Sequence, residues 1–185
     1  ALTGAPWLGS RWMQRIAIIG ISGSGKTTFA HTLQRATGLP LHHADQLFWR
    51  GPWQPVPADQ YLEAHSEWVG RNSWIIEGYV DPSLAQRLQR ADLIIYLAPP
   101  PWVCATRVVR RWLAHRKNAR PELPPEALER LNLQFLWVVL TGAERPSIEA
   151  ALRQAPKAVV QRLTTTQDQV EFIHRLVAEV KPSLT

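Results

Sequence analysis

The chain has 185 residues, a formal net charge of +6 and an apolar fraction of 45%, values that suit a foldable domain and exclude a disordered one. The basic balance favours an anionic partner, whether nucleotide phosphates, nucleic acid or an acidic membrane surface, and does not choose among them. A single cysteine, Cys104, rules out an intramolecular disulfide and a cysteine-held metal, and fits a reducing, cytoplasmic compartment. No apolar run approaches the roughly 20 residues that cross a bilayer. The longest, Leu133–Leu140, predicts a buried helix segment. Ala1–Trp12 has no apolar core of a secretory signal and is expected to be a loosely ordered extension ahead of the regular pattern that starts at Met13.

In chain order, short apolar runs alternate with stretches of helical period. That predicts one α/β domain over 13–185, a doubly wound five-stranded parallel sheet with helices on both faces. Arg15–Gly20 is the first strand. Lys26–Thr37 is the helix after it, with Phe29, Ala30 and Leu33 inward and Gly38 as its stop. Leu39–His42 is a short second strand leading to Asp45. Pro52–Pro57 predicts a loop, and Ala58–Val69 a helix with Tyr61, Leu62, His65 and Trp68 inward. Trp74–Glu77 is the third strand, Ser83–Ala91 a short helix and Leu93–Leu97 the fourth strand. Trp102–His115 predicts an amphipathic helix with Val103, Thr106, Val109 and Leu113 along its apolar side and a basic side opposite. Arg116–Pro125 reads as a loop, Glu126–Leu140 as a helix and Lys157–Leu163 as the fifth strand. Gln167–Val180 closes the chain, with Val170, Ile173, Leu176 and Val177 as its apolar face.

Gly20-Ile-Ser-Gly-Ser-Gly-Lys-Thr27 matches G-x-x-x-x-G-K-[ST] in full, between the first strand and its helix, where a phosphate-binding loop has to sit. The glycines let the backbone curl so that successive N–H groups point at an anion. The first turn of the helix adds its own unpaired N–H groups and the positive end of its dipole. Lys26 brings a full charge to the β- and γ-phosphates, and the Thr27 hydroxyl completes a Mg²⁺ coordination sphere. The predicted nucleotide-binding residues are Gly20, Ser22, Gly23, Ser24, Gly25, Lys26, Thr27 and Thr28, and the expected cofactors are ATP and Mg²⁺.

Larger ATPases and GTPases need further parts, such as a long strand ending in Asp or a base-reading N-K-x-D motif, and none is present. The chain resembles instead the adenylate-kinase-like branch of small P-loop kinases, and within it the bacterial DNA topology modulation proteins (FlaR-type). The resemblance runs from about Arg15 to Leu176. It is carried by Gly20–Thr27, by Leu41-His-His-Ala-Asp-Gln-Leu-Phe-Trp49, by Trp74-Ile-Ile-Glu-Gly78, by Arg87-Leu-Gln-Arg-Ala-Asp-Leu-Ile-Ile-Tyr-Leu97 and by the arginine run after Thr106.

That resemblance implies an ATP-dependent phosphotransferase acting on a small molecule, either a nucleotide or nucleoside or a hydroxylated metabolite. It implies that Asp45, just past the second strand, holds or deprotonates the acceptor; a turn or helix-capping aspartate is the plainer alternative. Glu77 matches the acid that assists Mg²⁺, a position usually held by Asp, with a structural salt bridge as its alternative. Arg107, Arg110, Arg111, Arg116, Lys117 and Arg120 match a lid over about 107–125, whose arginines close over the transferring phosphoryl group. At least one of Arg110, Arg111 and Arg116 is expected to touch phosphate; a solvated basic face is the other reading.

Nucleoside monophosphate kinases carry D-G-F-P-R at the third strand, where this chain has Glu77-Gly-Tyr-Val-Asp81 and no arginine, so an AMP-type acceptor is disfavoured unless Arg87 compensates. Of the adjacent His42 and His43 only one can face the site, and Trp49 is the tryptophan singled out for base stacking. The competing function is a nucleotide-dependent regulatory or DNA-associated protein that uses the basic run as its contact.

Overall fold

The computed structural model describes residues 13–50, 53–79, 81–115, 132–155 and 158–180, with backbone only at 81, 82 and 177–180. A continuous apolar run makes a parallel strand covered on both faces, and β1 (Arg15–Ile19) is one. Ile16 and Ile18 enter one core, Ala17 and Ile19 the other. The glycine-rich loop 20–25 leads from it into α1 (Lys26–Thr37), which buries Phe29, Ala30 and Leu33. β2 (Leu41–His43) runs directly into α2 (Ala44–Phe48) and a small hairpin, β3 (Trp49–Arg50) with β4 (Gln54–Pro55). Next come α3 (Ala58–Gly70), β5 (Trp74–Glu77), α4 (Asp81–Arg90) and β6 (Leu93–Leu97). The chain continues through α5 (Pro101–His115), α6 (Leu133–Thr141), α7 (Arg145–Arg153), β7 (Val159–Leu163) and α8 (Thr166–Val180).

The main sheet is wholly parallel, five strands in the order β2-β5-β1-β6-β7. On one face α1 and α8 close a core in which the Phe29 and Phe172 rings meet at 6.1 Å. The other face is covered from α3, α4, α5, α6 and α7 by Val69, Leu84, Leu88, Val108, Val139 and Ile148. This is the doubly wound α/β fold expected from the alternation of strand and helix signals. Among the described residues, no helix is long and apolar enough to cross a membrane.

Several local expectations are corrected. The Pro-rich segment carries the β3–β4 hairpin; Pro55 is tolerated there because a short isolated ribbon does not require its missing N–H. The packed stripe of α5 is Cys104, Ala105 and Val108, while Thr106 and Leu113 are exposed. The loop before α1 lies directly against that stripe and needs glycine there: a Cβ on Gly23 would stand 2.4 Å from the Cys104 carbonyl oxygen.

The helix predicted over 126–140 starts at Leu133. Asn132 is extended and caps it, its side chain accepting from the N–H groups of Gln134 and Phe135, and 126–131 lies outside the described residues. Nor is Leu133–Leu140 a buried segment. One stripe containing Val139 packs inward, and Leu133 (75%) and Trp137 (66%) are exposed. α7 was not expected at all. Its loop-like signals are Gly142, the left-handed residue that ends α6 (φ 67°), and Pro146, in the first turn of α7. In α8 the buried residues are Phe172 and Leu176, Val170 is exposed, and the Val177 side chain is outside the described set.

Candidate functional site

The carboxyl ends of β1, β2 and β5 open onto a cleft of about 830 Å³. Ser22, Gly23, Gly25, Lys26, Thr27 and Thr28 line it, six of the eight residues expected to hold a nucleotide. Gly20 and Ser24 sit beneath the loop and serve its shape. The Ser24 N–H donates to the Ile21 carbonyl at 3.1 Å, and its side chain is fully buried.

The loop's other groups are held by three distant or charged side chains. Lys26 Nζ donates to the carbonyls of Gly20 (2.9 Å) and Ile21 (3.1 Å). Arg107 donates from Nη1 to the Ser24 carbonyl (3.0 Å) and from Nη2 to Thr166 Oγ1 (3.2 Å), joining the loop to the start of α8. The Ser22 N–H donates to Glu144 Oε2 at 3.1 Å. Glu144 stands at the N-cap of α7 yet makes no side-chain cap to its own helix.

The acidic wall is built by strand register. β2 and β5 pair His43 with Glu77, both buried, and His43 Nδ1 lies 2.6 Å from Glu77 Oε1. Thr27 Oγ1 donates to that same oxygen at 3.2 Å. Burial alone would push the Glu77 carboxyl up. The hydrogen bond with His43, the charge of Lys26 and the Thr27 hydroxyl outweigh it and hold the group below the usual carboxylate range. Asp45, in the first turn of α2, lines the cleft as well, and is no N-cap, since His43 holds that position. Gly78 (φ 130°) lets α2 come close: a Cβ there would be 3.0 Å from the Ala44 Cβ and 3.5 Å from Asp45 Oδ1.

The basic wall differs from expectation. Burial of Cys104, Ala105 and Val108 turns Arg107, Arg111 and His115 towards the cleft, and Arg110 points away from it and is exposed. Of the expected arginines Arg111 lines the cleft and Arg110 does not, and Arg107 lines it one turn before Arg111. Arg116, Lys117 and Arg120, with the rest of the expected lid, lie outside the described residues, as does 1–12. Across the cleft, α8 contributes Gln169, Ile173 and His174. The sequence places Ile173 only on the apolar face of the closing helix and marks Gln169, His174 and Glu144 with no motif; the packing of α5, α7 and α8 brings them in.

Other candidates fall elsewhere. His42 stacks on Trp68 (4.5 Å between centroids), away from Glu77. Trp49 packs edge-on against Phe48 and Trp53 and borders a separate shallow depression. Arg87 is fully buried, donating to the Gly78 carbonyl and to Ser83 Oγ, and does not reach the cleft. Burial pushes its guanidinium down from the ordinary value, against the opposing pull of Tyr61, Glu77 and Asp45.

These residues fit a magnesium–nucleotide. The loop's left-handed glycines curve the backbone around an anion, Lys26 rests on neutral carbonyls, and Thr27 and Glu77 put two hard oxygen donors side by side.

Comparison with protein-family models and with curated protein sequences gives no match. In fold the chain is similar to a sugar kinase from Janibacter sp. HTCC2649, at 21% identity and a TM-score of 0.56, over 91% of this chain and 95% of that one. It is also similar to the shikimate kinase of Acinetobacter baumannii solved with shikimate, at 15% identity and a TM-score of 0.55, over 93% and 95% of the two chains. A gluconokinase from Sinorhizobium meliloti 1021 aligns at 18% identity and a TM-score of 0.54, over 94% and 95%. At these identities the likeness establishes the fold alone, a parallel sheet with helices on both faces.

Proposed function

We propose that this chain is an ATP-dependent kinase that transfers the γ-phosphoryl group of ATP to a hydroxyl of a small-molecule acceptor. The observation that carries the reading is the convergence on one cleft of Lys26 and Thr27, the carboxylates of Asp45 and Glu77, and the arginines of α5. Bound there, Mg²⁺–ATP would supply the phosphoryl group and a metal charge to neutralise it. Thr27 and Glu77 hold the metal, and the loop amides with Lys26 hold the phosphates. Arg107 and Arg111 supply charge that can follow the transferring group, Arg107 after releasing the Ser24 carbonyl. Asp45 orients the acceptor hydroxyl and takes its proton. Arg116, if the lid closes as the resemblance implies, adds to the arginine set.

Two considerations favour a hydroxyl over a nucleoside monophosphate as acceptor. Arg87, the arginine that could have gripped an acceptor phosphate, is sealed inside the fold. The sugar kinase, shikimate kinase and gluconokinase of similar fold are named for hydroxylated acceptors. On its motif residues we place the chain with the topology modulation group of these kinases, as a cytoplasmic catalytic unit spanning 13–185. ATP and a small-molecule acceptor are then its favoured partners, ahead of DNA.

The test is ADP release from Mg²⁺–ATP by the native protein and by Lys26→Ala, with and without pools of sugars, other polyols, nucleosides and nucleoside monophosphates. A hydroxylated pool should accelerate release, and Lys26→Ala should reduce it by roughly a thousandfold, the scale of a lost charge-stabilising group. Turnover that survives the lysine change, or that ignores every pool, overturns the reading.

A further inference from the structure

We propose that His43 is a positioning residue for Glu77, and that the metal-dependent part of nucleotide binding depends on it. This rests on reading the cleft as a magnesium–nucleotide site. β2 and β5 are parallel neighbours that end together, so His43 and Glu77 emerge side by side at the cleft floor. The two side chains meet at 2.6 Å with little exposure to solvent, 8% for His43 and 4% for Glu77. On its other side the His43 ring lies against His31 at 5.2 Å between centroids. His31 is one turn along α1 from Thr27, so the ring is confined between the helix that carries Thr27 and the strand that carries Glu77.

Glutamate has three side-chain torsions and, unheld, would lose much of its freedom on meeting a cation. Here Oε1 is already fixed by an imidazole and a hydroxyl. Thr27 spends its one O–H on Glu77, which leaves its oxygen lone pairs for a cation. Outer partners that orient a ligand in this way change metal affinity by about 10- to 100-fold when removed. His43 thus acts through Glu77, with no contact of its own to substrate.

The experiment titrates a non-hydrolysable ATP analogue into native, His43→Ala and His43→Asn protein by calorimetry, once in EDTA and once in excess Mg²⁺. A Mg²⁺ titration at saturating analogue follows. Asparagine can offer an N–H close to the position of Nδ1. The expected result is a Mg²⁺ midpoint about tenfold higher in His43→Ala, an unchanged affinity in EDTA, and recovery in His43→Asn. An unchanged Mg²⁺ midpoint overturns the proposal, as does an equal loss in EDTA and Mg²⁺ with a lowered melting temperature, which marks a merely structural histidine. A native protein that binds the analogue without any Mg²⁺ dependence also overturns it. A native protein that binds no analogue at all fails the kinase reading itself, and is distinguishable from the other results on that ground.

Discussion

At the amino end of the sheet Asp92 accepts four hydrogen bonds, from the backbone of Gln14 (3.1 Å) and Arg15 (2.9 Å) and from Arg15 Nε (3.3 Å) and Nη2 (2.6 Å). At the carboxyl end Glu77 shares one oxygen between an imidazole and a hydroxyl. Both carboxyls are pushed up by burial and brought below their ordinary range by their partners. The partners differ in kind. Asp92 is closed by a guanidinium and by backbone, at the end of the sheet away from the cleft. Glu77 is held by side chains that still have lone pairs or face a cleft, and the nearby Lys26 is lodged on carbonyls. A carboxylate saturated by cation and backbone is structure; one steadied by an imidazole and a hydroxyl, beside a lysine that rests on carbonyls, is poised to receive something.

The largest effect that would sharpen this contrast concerns the cation beneath the carboxyl end. Arg87→Met removes a buried charge lying near Glu77 and Asp45 and should lower unfolding free energy by about 3–5 kcal/mol in urea titrations. A loss below about 1 kcal/mol would mean that the acids above it need no buried counter-charge. Next, Arg107→Ala should weaken nucleotide binding by roughly tenfold, the loss of one charged hydrogen-bonding partner, with little change in melting temperature. Asp92→Asn should cost about 2 kcal/mol of stability and leave nucleotide affinity alone. The sign of its pH dependence follows from the depressed folded value. Asp92 contributes stability above its unfolded value of about 3.9, and that contribution disappears as pH falls through the folded one. Acid unfolding of the Asn variant should therefore be flatter below about pH 4. A changed nucleotide affinity in this variant would break the comparison outright. Smallest of all, Arg110→Ala should match native protein in both binding and stability, because Arg110 lies on the side of α5 away from the cleft.

The parts of this arrangement legible in the sequence are those written in contiguous residues. The glycine-rich loop between β1 and α1 is one such stretch, and the strands Trp74–Glu77 and Leu93–Leu97 are fully buried runs whose ends need no tertiary information. What was misread depended on rotation or on distance. The basic run of α5 could not show which arginines face inward until Cys104, Ala105 and Val108 were known to pack under Gly23. The spacing of Val103, Thr106, Val109 and Leu113 reads as the apolar side, whereas Cys104, Ala105 and Val108 are the residues that pack. The pairing of His43 with Glu77 comes from register between strands separated by α2, the hairpin and α3, which periodicity cannot report. Glu144 carries no local signal at all. It stands on a turn that reads as a loop, and its role comes from reaching a backbone amide 122 positions earlier.

That last contact bears on how the loop comes into being during synthesis. Residues 20–27 emerge early, complete as a motif, but the carboxylate that takes the Ser22 amide and the guanidinium that takes the Ser24 carbonyl are made much later. Closing so long a loop of chain is entropically slow, and contacts of this separation form after local ones. A nascent or truncated chain ending before Glu144 therefore holds the phosphate motif without one of the ties on its loop. The fully tied cradle becomes available only once the chain has been made through Glu144.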